Sequence, residues 1–234
     1  MMKTLRNGTI TADPRCDLIF DKDERSKGFR VRSSVQEDIE IKTILHHCDK
    51  VLDQGKEGAC VGFGLAHGLI SMPYGALGLN AEYAKEHIYW PAQRADQWKG
   101  GDYPGAFPKY EGTSVLAGLK VLVKLGWIKE YNAALSLREV LIGLQTRPAV
   151  CGVKVFEGMM YPDKHNFIHN TGEEIGGHCL CLLGYNDETK VLTWINSWGL
   201  VYGDNGLIYM TLDEFDELRK DGGEVFFFDL KEDW

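Results

Sequence analysis

The sequence predicts an α+β protein of two lobes, helices first and strands second, with a cleft where the lobes meet. Two observations carry that reading. Apolar residues recur at helical spacing between Cys60 and Leu125, and beyond Pro148 the period changes to that of strands. The divisions that follow are an extension over 1–36, a mainly helical lobe over 37–132 and a mainly β lobe over 133–234.

Each element has a local reason. Residues 21–28 are charged and lack either period, so the extension is expected to wrap over the surface or to be partly mobile. From Cys60 to Ile70 the apolar positions Val61, Phe63, Leu65, Ala66, Leu69 and Ile70 cover a wide helical arc. Gly62, Gly64 and Gly68 interrupt it, each costing up to about 1 kcal/mol relative to Ala. A helix that tolerates three glycines is expected to be central and pressed against neighbouring backbone. A second helix is expected from Asn80 to Trp90, and a third from Ser114 to Leu125 with Gly126 as its stop. Ser136 and Glu139 form a capping box that opens a short helix, and Thr211 with Glu214 forms another. Strands are expected at 148–156, 178–185, 190–196, 206–210 and 224–230, the second and third joined by a turn at 186–189.

Composition limits the function. The chain has 234 residues, 44% hydrophobic and 26% charged, which is ordinary for a folded globular protein. Its net charge of −8 speaks against a nucleic-acid platform, which needs concentrated positive surface. No apolar run approaches the roughly 20 residues of a membrane span, and no signal peptide is visible. Six irregularly spaced cysteines are expected to be reduced thiols in a cytoplasmic protein.

The chemistry concentrates in Asp53-Gln54-Gly55-Lys56-Glu57-Gly58-Ala59-Cys60. A cysteine where a glycine-marked loop enters a helix meets unpaired N–H groups and the positive end of the helix dipole, which favour thiolate. Gln54 offers an amide N–H₂ to a developing oxyanion, and the Cys60 N–H is the natural second donor. The thiol needs a base and the base an orienting group. His178 after Gly177 starts one strand of the expected hairpin, and Asn196 ends the other, with Trp198 placed to cover their bond. They follow Cys60 by 118 and 136 residues. Other groups read as bland. His67 lies about 10 Å further along the same helix and is assigned to packing. His46, Cys48, Cys179 and Cys181 lack paired zinc-ligand spacing, so neither metal nor cofactor is expected. Glu111, Glu173 and Glu174 would make a cleft acidic and favour basic substrates, although solvated loop charges explain them more simply.

These residues resemble the papain family of cysteine peptidases over about 50–230. The match has four ordered pieces: Gln54 with Cys60 and Phe63; Gly177-His178 opening an apolar strand; Asn196-Ser197-Trp198-Gly199; and Tyr202-Gly203-Asp204-Asn205-Gly206. The resemblance implies a papain-like two-lobe fold with a helical left lobe, an antiparallel β-barrel-like right lobe and an active-site cleft between them. It implies a cysteine-type peptidase in which Cys60 is nucleophile, His178 base and acid, Asn196 its orienting group, Gln54 oxyanion donor and Trp198 shield. Gly112 and Gly177 would bind substrate backbone. The implied partners are a peptide or protein substrate and a proteinaceous inhibitor, with no nucleic acid and no membrane. Other acyl transfers at the same site (transpeptidase, amidase, transglutaminase-like) and a silent binding protein are the alternatives, and a groove blocked by residues 1–36 would indicate either the silent protein or an autoinhibited state.

Three departures stand out. Val61 replaces the usual bulky aromatic after the nucleophile, and Glu57 the disulfide cysteine of secreted members. The 59 residues before Cys60 are too few for a long helical pro-region, which points toward prokaryotic or viral relatives.

Overall fold

The computed structural model describes residues 2–21 and 39–231. The charged stretch beyond Asp21 and the 36/37 boundary lie outside the described residues.

The helical half is built around α1 (Cys60–Ile70), all eleven residues of which are buried. Its glycines explain how it fits. A Cβ on Gly64 would lie 2.6 Å from Cys179 Sγ, and one on Gly68 would lie 3.1 Å from the Phe228 ring. The helix therefore sits directly on strand backbone, as its glycines predicted. Short turns at α2 (Ala81–Tyr83), a π-helical turn at Ala84–Tyr89 and α3 (Trp90–Ala95) follow one another after the Asn80 cap. α4 (Val115–Leu125) is capped by Ser114, ends at left-handed Gly126 and buries Leu119 and Leu122 in the core that holds Leu65 and Leu69 of α1.

Nine strands are described. A hairpin of β1 (Lys3–Thr4) and β2 (Ile10–Thr11) stands apart from one seven-stranded sheet. The sheet order is β4 (Ile128–Ala133), β9 (Glu224–Leu230), β5 (Ala149–Phe156), β6 (Glu174–Asn186), β7 (Val191–Ile195) and β8 (Leu207–Thr211), with β3 (Ile44–Leu45) also on β6. All pairs in it are antiparallel. The sheet stays open, ending at β4 and β8, so the barrel-like half expected from sequence is an open sheet without closure. Two helices cover its other core, α5 (Leu137–Leu144) and α6 (Leu212–Lys220), each opened by the capping box read in the sequence. Trp194, Phe215 and Met210 pack there.

The extension departs most from expectation. Cys16, Asp17, Leu18 and Ile19 are fully buried, and Asp17 bridges Gly177 of β6. Instead of wrapping the surface, residues 13–20 run as a strap through the middle of the molecule. Alternating polarity cannot reveal such burial, because the partners lie forty or more residues away along the chain.

Candidate active site

Cys60 occupies the first position of α1, and the loop before it is stitched to the loop after β7. Gln54 N–H donates to Ser197 O at 2.9 Å, Ser197 Oγ donates to Gln54 Oε1 at 2.6 Å, and Asp53 bridges Trp198. These bonds bring the nucleophile loop of the helical half against the Asn196–Trp198 loop of the sheet. They also fix the Gln54 amide, whose Nε2 donates to Glu57 O at 2.7 Å and points toward Arg15 O at 3.4 Å.

His178 lies on β6 and Asn196 just beyond β7, joined by the hairpin that the sequence predicted. Nε2 of His178 is 2.8 Å from Asn196 Oδ1, an oxygen that also accepts from Ser197 N–H. The Trp198 ring covers this bond, its centroid 4.9 Å from the imidazole. His67 takes no part: its Nε2 accepts from Leu52 N–H at 2.9 Å, and burial pushes its pKa down to about 3.

The strap completes the arrangement. Cys60 Sγ donates to Asp17 Oδ1 at 3.3 Å, and Nδ1 of His178 faces Arg15 O at 3.1 Å. Each reactive group is thus bonded to the strap and not to the other. Arg15 also lays its guanidinium over Trp198, 4.2 Å from the ring centroid. Further along, Leu18 N–H donates to Gly177 O and Ile19 N–H to Thr113 O, both at 3.0 Å. Gly112 is pressed against the strap: at its φ of 88°, a Cβ would come 2.5 Å from Asp17 O. Its own polar groups face inward, N–H to Tyr89 Oη and C=O to Gln93 and Arg6.

The strap is held upstream as well. Arg6, its side chain wholly buried, forms a two-pronged ion pair with Asp96 at 2.6 and 2.8 Å and also donates to Trp98 O and Gln93 O. Lys3 pairs with Glu111.

Electrostatics in this closed state oppose reactivity. Burial, and then the Asp17 charge, push the Cys60 thiol well above its ordinary pKa, overriding the helix dipole. Burial pushes His178 down to about 4, against the Asn196 bond that raises it. Both of its partners are acceptors, so a neutral ring satisfies only one of them, and the shorter contact to Asn196 takes the proton. Burial raises Asp17 to about 7, opposed by the Cys60 bond and the Lys3 charge. The closed pair is therefore neutral thiol and neutral imidazole.

Sequence reasoning brought together Cys60, Gln54, His178, Asn196 and Trp198, with Gly112 and Gly177 along the groove. It missed Asp17 and Arg15. The available signal was the cluster Cys16, Leu18, Ile19 and Phe20, too apolar for a surface wrap. Among the described residues, no group of three His, Cys, Asp or Glu side chains is arranged to hold a metal ion.

The fold matches solved structures along nearly its whole length. Xylellain, a cysteine protease from Xylella fastidiosa, superposes with a TM-score of 0.72 over 95% of this chain and 98% of its own, at 18% identity. The chain has a papain-like fold. Curated relatives of this papain-like chain match more locally. An uncharacterized peptidase C1-like protein of Acanthamoeba polyphaga mimivirus is 38% identical over 68 residues, 27% of this chain and 22% of its own. A cathepsin B-like cysteine proteinase of Caenorhabditis elegans is 31% identical over 61 residues, 25% of this chain and 18% of its own. Each match spans about a fifth of the relative's length. No family model matches.

Proposed function

We propose that this chain is a cysteine-type peptidase, held latent by its own strap. The observation that carries this reading is that extended polypeptide already lies in the groove, bonded to Cys60 through Asp17 and to His178 through Arg15. A groove that accepts backbone at Gly177 and Thr113 is suited to a peptide substrate. With the strap gone, water reaches both groups, the desolvation that holds them neutral is relieved, and the helix dipole favours thiolate beside imidazolium.

The Cys60 thiolate then attacks the peptide carbonyl, whose oxygen takes the place of Arg15 O beside Gln54 Nε2, with Cys60 N–H as second donor. His178 protonates the leaving amine, and water activated by the same imidazole releases the acid and the free thiol. The strap resists this chemistry because of its direction. His178 must face the leaving amine, so the amine side lies toward Arg15 and Trp198 and the acyl side toward Leu18 and Ile19. The strap therefore runs opposite to a substrate. The free thiols support a reducing, cytoplasmic setting for this activity.

The test is selective alkylation of Cys60 and peptide hydrolysis by the full-length Leu18→Gly chain, in which the strap is weakened. Both activities are expected to rise above the unmodified chain and to vanish with Cys60→Ala. Uniform slow labelling of all six thiols would reject the reading. Added amines then separate hydrolysis, which gives only acid, from acyl transfer.

A further inference from the structure

Between β3 and the Cys60 loop the chain leaves the sheet. His46 N–H donates to Leu183 O at 2.9 Å, continuing the pairing of β3 with β6, but His47 O accepts from Met72 N–H at 2.8 Å. The segment thus peels from the strand edge. It crosses onto the face of β6 that carries Cys179 and Cys181, the face on which Gly64 of α1 sits. Cys48 and Val51 pack there against the buried cluster of Cys181, Leu183 and Ile195.

One hydroxyl links two of these thiols. Ser71, fully buried, donates its Oγ–H to His67 O at 2.7 Å, and the same oxygen is a hydrogen-bond neighbour of both Cys48 and Cys181. The Cys48 S–H also reaches Lys50 O at 3.4 Å. The two cysteines differ in access. Cys48 is half-buried, the one cysteine of the six that is not shut away, whereas Cys181 is sealed. A reachable sulfur beside a sealed one lets a small reagent meet the first and leaves the second to resolve the product. A disulfide needs Cβ atoms about 3.5–4.5 Å apart, a spacing open to side chains gathered around a single hydroxyl.

We propose that Cys48 and Cys181 form a disulfide when a small disulfide such as oxidised glutathione is present, and that this bridge clamps the approach to the Cys60 loop onto β6. First the Cys48 sulfur attacks one sulfur of the small disulfide. That S–S bond breaks, and one small thiol leaves with the Cys48 proton. The Cys181 sulfur then attacks the Cys48 sulfur and displaces the second small thiol, which takes the Cys181 proton. Two protein thiols are oxidised, and one small disulfide is reduced to two thiols. Burial raises both protein thiols, so the exchange is slow near neutral pH and quickens as pH rises. The bridge closes a loop of chain that contains both Cys60 and His178, and its constraint on the unfolded chain grows with the length of that loop. The inference does not depend on the peptidase reading.

The experiment incubates the full-length, unmodified chain with oxidised glutathione at about pH 8.5, where ordinary thiols are half ionised. Disulfides are then mapped without reduction, and urea unfolding is measured. A single Cys48–Cys181 bridge is expected, with the urea midpoint higher by about 1 M and restored by dithiothreitol. Cys181→Ser should stop at a glutathione adduct on Cys48, and Cys48→Ser should take up no glutathione and form no bridge. A bridge between any other pair, a lasting adduct on Cys48 in the unmodified chain, or no reaction at all overturns the proposal. A Cys48–Cys181 bridge that leaves the midpoint unchanged overturns the clamp. Mapping of the unmodified chain decides the pairing even where a serine variant fails to fold.

Discussion

The thiol of Cys60 is hydrogen-bonded to Asp17, forty-three residues earlier in the chain, across 3.3 Å. A residue of the extension thereby occupies the bonding position at the head of α1, and the cleft is closed from within.

Removing that contact should expose the thiol. Asp17→Ala is expected to raise the rate of Cys60 alkylation by iodoacetamide at pH 7.5 by at least about tenfold, the equivalent of ~1.4 kcal/mol. Peptide mapping of the labelled cysteine checks it. Equal labelling rates in Asp17→Ala and the unmodified chain would show that Asp17 does not guard the site.

The pH dependence of closure follows from two opposed groups. Docking raises Asp17 from 3.8 to about 7, so its contribution is fully present below 3.8 and is lost as pH rises through 7. Docking lowers His178 from 6.5 to about 4, so its contribution is present above 6.5 and is lost as pH falls through 4. With ordinary values in the open state, the closed cleft binds as many protons as the open one over the overlap, and closure should be nearly flat from about pH 4 to 6.5. Asp17→Asn removes one side of the balance, so its closure should weaken as pH falls through that window. Protection of the Leu18 and Ile19 amides, corrected for intrinsic exchange, reports it.

In the open chain, His178→Ala should lower kcat by about 10²- to 10⁴-fold, the usual worth of a positioned acid–base. Asn196→Ala should cost less and also move the pH profile, since the ring loses the bond at Nε2 that fixes its tautomer and raises its pKa. Stopped assays across pH 4 to 9 separate the two effects.

Gly64→Ala tests the seat of α1. The added methyl would meet Cys179 Sγ at 2.6 Å, and overpacking of this kind costs about 1–3 kcal/mol. Urea unfolding should show a lower midpoint. Gly126→Ala, with open space around it but φ of 74°, should cost through backbone strain alone and therefore less.

Much of the architecture was legible because its signals are local. The helix of Ser114 to Leu125 announces itself by period, cap and glycine stop, and the hairpin that joins His178 to Asn196 by its turn residues. The motif then ordered Cys60, His178 and Asn196 along the chain. The strap was illegible for the converse reason. Asp17 looks like a residue bound for water, and only partners at Cys60, Gly177 and Lys3 make its burial tenable. The barrel-like sheet came from the resemblance, since alternation marks strands but not whether the last one meets the first.

The Arg6–Asp96 pair has one further consequence. Because it clamps the chain eleven residues upstream of Asp17, a strap that leaves the groove remains tethered beside it. On the proposed peptidase reading, an incoming peptide competes with an intramolecular rival whose effective concentration is on the order of millimolar. Dilution cannot relieve such inhibition, so the fraction of open molecules is a property of each single chain, set by its sequence and by the solution around it.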